Sequence, residues 1–264
     1  MPYRVDVRNA GHAAIDGLIE LGALDAELSN DGSVAALMPD RVSREQVARA
    51  VGAEDVSVSP AIGRDDESVW ILSPRAIQIG RIRIVPSDVD AAPHSLRLID
   101  AAAFGSGLHP TTALCLEALE EAVNHTPPDA VLDVGTGSGV LALAALMQGV
   151  PRAIGLDIDD EALRVAAENA RINALHERLE LARGGPEAVA GTWPLVLANV
   201  LAAPLIEMAP TMVRRVGHHG QLVLSGIPSS VEPDVHDAYR RLGMQRVRTT
   251  ARAGWIALVM QASW

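Results

Sequence analysis

One cysteine, one phenylalanine and no long apolar run set the first limits on this chain of 264 residues. A single thiol, Cys115, leaves no partner for an internal disulfide and fits a reducing compartment. It lies among apolar neighbours in a helical pattern, and reads as a buried, inert core thiol rather than a nucleophile. Aromatic residues make up only 3% of the chain while hydrophobic residues reach 48%. Aliphatic side chains and alanine must therefore fill the core, with helices lying close to a sheet. No stretch approaches the roughly 20 apolar residues that a bilayer span requires. The opening Met1-Pro2-Tyr3-Arg4-Val5-Asp6 lacks the apolar segment of a signal peptide, so the expected location is cytoplasmic, with no membrane partner. The formal net charge of −11 argues against phosphate-driven binding, and no direct nucleic-acid readout is expected. The same charge suits steering of a basic protein partner, although ordinary acidic solubility accounts for it by itself.

What the chain does have is a glycine turn in a βαβ setting. Asp133-Val134-Gly135-Thr136-Gly137-Ser138-Gly139 follows the apolar Ala130-Val131-Leu132 and precedes the helix-forming run Val140–Met147. Strand, glycine turn and helix let a backbone approach a nucleoside-bearing ligand closely, because a side chain there would block the ligand or forbid the turn. The next strand, Ala153-Ile154-Gly155-Leu156-Asp157, is apolar up to a carboxylate placed to accept hydrogen bonds from ribose hydroxyls. Position 140 is Val, so the turn reads G-x-G-x-G and misses the dinucleotide fingerprint. An acidic residue just ahead of the first glycine, Asp133, fits an S-adenosylmethionine site better. An unliganded tight turn is the plain structural alternative.

In chain order, residues 3–8 alternate as a half-buried strand, and a helix fits Ala13–Leu21. Strands at Leu24–Leu28 and Ser33–Met38 flank the hairpin signal Asn30-Asp31-Gly32. Ser43-Arg44-Glu45-Gln46 is a capping-box start for a helix through Val51, and Val56-Ser57-Val58 offers a last strand. The order βαββαβ predicts a small α+β ferredoxin-like module over residues 1–60. Residues 61–100 read as a linker with some β structure, with strands at Val69–Leu72 and Ile77–Val85. From 101 to 264, strands and helices alternate and close on a hairpin, Gln245–Thr249 with Ile256–Met260. This predicts a Rossmann-like, seven-stranded methyltransferase sheet, parallel except for the final strand. Its third strand is Leu179–Leu181. Its fourth, Pro194–Asn199, ends in a polar residue at the edge where ligands sit in such sheets.

Phe104-Gly-Ser-Gly-Leu-His-Pro-Thr-Thr112 is a second informative stretch. Pro110 suits a helix start. Phe104 is either a core plug or a lid over cofactor or substrate, and His109 reads as a loop histidine satisfying backbone groups.

Taken together, Phe104–Leu116, Asp133–Gly139, Gly155-Leu-Asp-Ile-Asp159, Ala198-Asn-Val-Leu-Ala-Ala-Pro-Leu205 and Leu224-Ser-Gly-Ile227 resemble the bacterial methyltransferases of ribosomal protein L-eleven. The likeness runs over residues 70–264, and the N-terminal module agrees in type. It implies S-adenosylmethionine as cofactor, contacted by Thr112, Gly135, Asp157 and Asn199, with Gly137 as a further backbone contact. It also implies methylation of lysine and N-terminal amines of a basic ribosomal protein, recognised by the N-terminal module. Asn199 and Phe104 are the candidate catalytic residues, and no metal is expected. Asn199 would accept hydrogen bonds from the amine or fix the cofactor. Val200-Leu201-Ala202 follows it in place of the Pro-Pro-aromatic of adenine methyltransferases, which weighs against a nucleobase. A methyltransferase of the same fold acting on another protein or a small molecule is the alternative. An NAD-type oxidoreductase is disfavoured by Val140, and a non-enzymatic binding module remains open.

Overall fold

Alternation of polar and apolar residues builds the first of two units, which are divided between Pro74 and Arg75. The computed structural model describes residues 1–8, 10–29, 32–52, 56–63, 65, 69–73, 75–89, 94–99 and 105–264. In the first unit β1 (Tyr3–Val7), α1 (Gly11–Glu20), β2 (Asp25–Leu28), β3 (Val34–Met38), α2 (Arg44–Val51) and β4 (Val56–Pro60) follow in order. The sheet runs β2-β3-β1-β4 with every neighbour antiparallel, the ferredoxin-like arrangement. Val5, Val7, Val34, Ala36 and Met38 face Ala14, Leu18 and Val47 of the helices. Ser43 and Gln46 form the expected capping box at the start of α2.

The second unit opens with β5 (Ile77–Ile79), β6 (Ile82–Pro86) and β7 (Ser95–Leu98), a three-stranded sheet in that order. The strand expected over Ile77–Val85 is two strands, because the chain turns at Gly80 with φ +54°. Val69–Leu72 contributes only a single bridge at Val69. Residues 61–100, read above as a linker, thus fall on both sides of the division, and Ile79, Ile82, Ile84, Leu96 and Leu98 join the core of the second unit.

There follow α3 (Pro110–His125), β8 (Ala130–Val134), α4 (Val140–Met147), β9 (Arg152–Asp157), α5 (Asp160–Ile172), β10 (Leu179–Arg183) and β11 (Trp193–Asn199). The chain ends with α6 (Ala202–Val213), β12 (Val216–Pro228), α7 (Glu232–Arg240), β13 (Met244–Arg252) and β14 (Trp255–Ala262). The seven-stranded sheet has the order β10-β9-β8-β11-β12-β14-β13. It is parallel except at β14, which lies antiparallel between β12 and β13. Its inner strands β8, β11 and β14 are buried along most of their length, as a sheet between helical layers requires, whereas the edge strand β13 is largely exposed. Val131, Leu195 and Leu197 face α3 and α4, whereas Leu132, Val196 and Ala198 face α6 and α7. The sheet thereby sends the carboxyl ends of β8, β9, β11 and β12 to one edge.

Leu132 is fully buried at the centre of this sheet. Leu132→Ala is expected to cost about 3 kcal/mol through lost burial and the cavity left behind. Urea unfolding monitored by circular dichroism checks it, and a loss below about 1 kcal/mol would show that the site collapses around the gap.

Candidate active site

The glycine turn is held by hydrogen bonds from two directions. Gly135 N–H and Thr136 N–H both donate to the Leu156 carbonyl at 2.8 Å, which pins the turn to the neighbouring strand β9. Gly135, Gly137 and Gly139 have φ of +72°, +53° and +81°, a region that a Cβ disfavours. A Cβ on Gly135 would also lie 2.3 Å from a methyl of Val200, the residue after Asn199. The turn therefore runs directly against the end of β11.

Two carboxylates brace this turn. Asp157 Oδ2 accepts the N–H of Gly137 at 2.9 Å, and its Oδ1 accepts the N–H of Asp159 at 3.0 Å. Asp133 is fully buried, and its Oδ2 accepts from the Thr136 hydroxyl (2.7 Å) and from the Ala142 N–H (3.2 Å). Its Oδ1 is buried without a partner among the described residues. Burial pushes the Asp133 carboxyl up to about 7, the Thr136 and Ala142 hydrogen bonds pull against that, and Asp157 adds a smaller upward push. Cys115 is buried beside it. Burial, and then the Asp133 carboxylate, drive its thiol well above the ordinary range, which suits the expected inert core role.

At the end of β11, Asn199 Nδ2 donates to the Thr112 hydroxyl at 3.3 Å, while its Oδ1 is buried without a partner among the described residues. Thr112, itself fully buried, stands in the first turn of α3. That turn is capped by His109, whose Nδ1 accepts the Thr111 N–H at 3.3 Å and lies 2.7 Å from the Thr111 hydroxyl. The loop histidine thus satisfies backbone, as its sequence context suggested. Its ring meets the edge of Trp255 at 5.0 Å and 71°. Behind Asn199, β12 bulges at Ser225-Gly226, where Gly226 has φ +83° and a Cβ would sit 2.2 Å from the Val200 carbonyl. Only glycine allows the loop after Asn199 to tuck in so closely.

The expected residues Thr112 and Asn199 are therefore in contact, Gly137 and Asp157 are in contact, and Gly135 touches the residue next to Asn199. Phe104 lies outside the described residues. Sequence reasoning missed Trp255, which the inserted strand β14 brings to His109 from far along the chain. It also missed the part played by Gly226, although Leu224-Ser-Gly-Ile227 had marked the segment.

A family model described as ribosomal protein L11 methyltransferase (PrmA) matches residues 22–263. The chain belongs to this family. A relative from Geobacter sulfurreducens, named ribosomal protein L11 methyltransferase, is 34% identical over 97% of this chain and 87% of its own length. One of the same name from Chromohalobacter salexigens is 40% identical over 75% of this chain and 67% of its own. The crystal structure of ribosomal protein L11 methylase from Lactobacillus delbrueckii subsp. bulgaricus superposes with a TM-score of 0.67 at 31% identity. It covers 72% of this chain and all of that one. Among members of the L11 methyltransferase family the cofactor is S-adenosylmethionine, as the resemblance implied. The residues at this sheet edge suit it: a glycine-rich turn, a carboxylate one strand over, and a buried amide oxygen with no donor among the described residues.

The raised Asp133 pKa carries a pH signature. Between the unfolded value of 3.8 and about 7 the folded chain holds a proton that the unfolded chain releases, so this residue's contribution to stability falls as pH rises through that window. Asp133→Asn removes the titration, so its stability relative to the parent should climb from pH 4 to pH 7 and level off above. Melting temperatures of ligand-free protein across that range check it, and a flat difference would mean that Asp133 is ionised throughout.

Proposed function

We propose that this chain transfers methyl groups from S-adenosylmethionine to lysine and N-terminal amines of ribosomal protein L11, in the cytoplasm, where ribosomes and their proteins are found. The observation that carries the reading is the state of Asn199. Its Nδ2 is committed to Thr112, so the amide is oriented, and its buried Oδ1, without a partner among the described residues, is left to accept a donor. An amine N–H is such a donor.

In this reading Asp157 receives the ribose hydroxyls on the lone pairs left beyond its two backbone contacts. The backbone at Gly135 and Gly137 passes beside the nucleoside, and Thr112 and Asn199 line the far side. When bound, the cofactor supplies a methyl carbon made electrophilic by a sulfonium. The chain's own residues supply alignment and dryness. Accepting an amine N–H at Asn199 Oδ1 fixes the direction of the nitrogen lone pair, which is the larger part of what an in-line displacement needs. A lysine in water has a pKa near ~10.4. Burying its head between Asn199 and the glycine turn disfavours the ammonium and lowers that value. The ferredoxin-like unit is the proposed recognition module, and a net charge of −11 complements a basic substrate.

Incubation with tritiated S-adenosylmethionine and purified L11, alone and within a ribosomal protein extract, tests the substrate. Label should enter L11 and appear as methyllysine after hydrolysis. The enzyme contains no lysine, so methyllysine cannot come from the enzyme itself. Label confined to other proteins or to small molecules would overturn the assignment. Asp157→Ala should weaken S-adenosylhomocysteine binding by roughly a hundredfold, the loss of two hydrogen bonds to a charged acceptor. An unchanged affinity in calorimetry would contradict the ribose role.

A further inference from the structure

A second layer of contacts joins helix α5 to the glycine turn. Asn169, on the buried face of α5, is fully buried, and both ends of its amide are used. Its Oδ1 accepts the N–H of Ile99 at 2.9 Å, and its Nδ2 donates to the carbonyl of Ser138 at 2.9 Å. The Ser138 hydroxyl donates in turn to the Gly105 carbonyl at 2.9 Å. Ile99 and Gly105 are the two residues that flank positions 100–104. Both are thereby fastened to Ser138, one through Asn169 and the other directly.

Ser138 sits between Gly137 and Gly139, both at positive φ. Glycine lowers the cost of rotating the flanking peptides, so a turn built from alternate glycines needs an outside restraint to hold one conformation. The Asn169 amide is that restraint on the Ser138 carbonyl. One helical turn further on, Asn173 makes a similar pair of bonds. Its Oδ1 accepts from Arg97 N–H at 2.9 Å, and its Nδ2 donates to the carbonyls of Arg97 and Asn169, both at 2.7 Å, without reaching the glycine turn or the Asn169 side chain. The two asparagines thus share chemistry and neighbourhood but differ in whether they touch Ser138.

We propose that Asn169 is a positioning residue for the cofactor: by holding the Ser138 carbonyl it fixes the peptide planes that follow Gly137, and it ties the same turn to the segment that leads into α3 and Thr112. This deepens the function proposed above and rests on it. Asn169 touches no substrate in this scheme and acts through the turn.

The test measures S-adenosylhomocysteine affinity by calorimetry and the KM and kcat of methyl transfer, using the full chain. Asn169→Ala should lower affinity and raise the KM for S-adenosylmethionine by roughly tenfold or more, with a smaller change in kcat. Asn173→Ala should lower the melting temperature to a similar degree yet keep affinity within about twofold. Ser138→Ala combined with Asn169→Ala should lose less affinity than the two single changes predict together, since both restrain one turn. Wild-type affinity in Asn169→Ala, or an equal loss in Asn173→Ala, would overturn the inference while leaving the proposed function standing. A parent protein that binds no S-adenosylhomocysteine would overturn both. Hydrogen exchange on the parent decides the matter if Asn169→Ala does not fold. Ligand should slow exchange of the Ile99 amide more than that of the Arg97 amide, and equal or no slowing would count against Asn169.

Discussion

A single peptide oxygen bears most of the constraint at this sheet edge. The Leu156 carbonyl, near the end of β9, accepts the N–H groups of both Gly135 and Thr136. In the parallel register Val134 lies opposite Leu156, so β8 ends where its neighbour still offers an acceptor. The chain leaving β8 is drawn across toward β9 rather than continuing along its strand. That bend consumes the first two N–H groups of the turn and presents the third, on Gly137, to the Asp157 side chain. Were Leu156 unable to reach, the Gly137 N–H and Asp157 would not meet. The carboxylate would then keep only the Asp159 N–H of the two contacts that set its rotamer.

Other parts of the site inherit their places from the sheet. Parallel neighbours end at the same edge, so Asp157 on β9 and Asn199 on β11 flank the turn after β8 without any local sequence relation. The antiparallel strand β14 adds a contribution of the opposite kind. Because it runs the other way, its first residue, Trp255, arrives at the edge where the other strands finish and meets His109 at the cap of α3. The cap orients Thr111, and the following residue, Thr112, takes the Asn199 amide. A contact between the last strand and the loop before α3 is thereby connected to the orientation of the Asn199 side chain.

How much of this is legible in the sequence depends on range. The glycine turn, Asp133 and Asp157 are readable because each is fixed by its own strand-to-loop transition, where apolar residues give way to glycine or a carboxylate. Asn199 is readable for the same reason. The ferredoxin-like order of the first unit follows from alternation and one capping box. Asn169 and Gly226 are different. Asn169 lies within an ordinary amphipathic helix, and its importance comes from Ile99 and Ser138, each tens of residues away in the chain. Gly226 looks like any glycine inside a strand until the Val200 backbone is seen to fill the space of its missing Cβ. The two strands at Ile77–Pro86 merged in the reading because apolar alternation continues through the turn at Gly80. Periodicity reports which face a residue shows, and gives no signal of where a strand reverses.

The charge chemistry of the chain fits an enzyme that acts on amines. All 22 of its basic residues other than histidine are arginine. Guanidinium stays protonated at any physiological pH and has no free lone pair, so it supports ion pairs without presenting a nucleophilic nitrogen. The surface pairs Arg252–Glu117, Arg248–Glu121 and Arg164–Glu161 show the same residues stabilising helix α3 against β13 and the first turns of α5. Lysine could make such pairs as point charges, but each would add an ε-amine, a nitrogen that can shed its proton where guanidinium does not. A surface of arginines keeps the electrostatic contribution and presents no ε-amine.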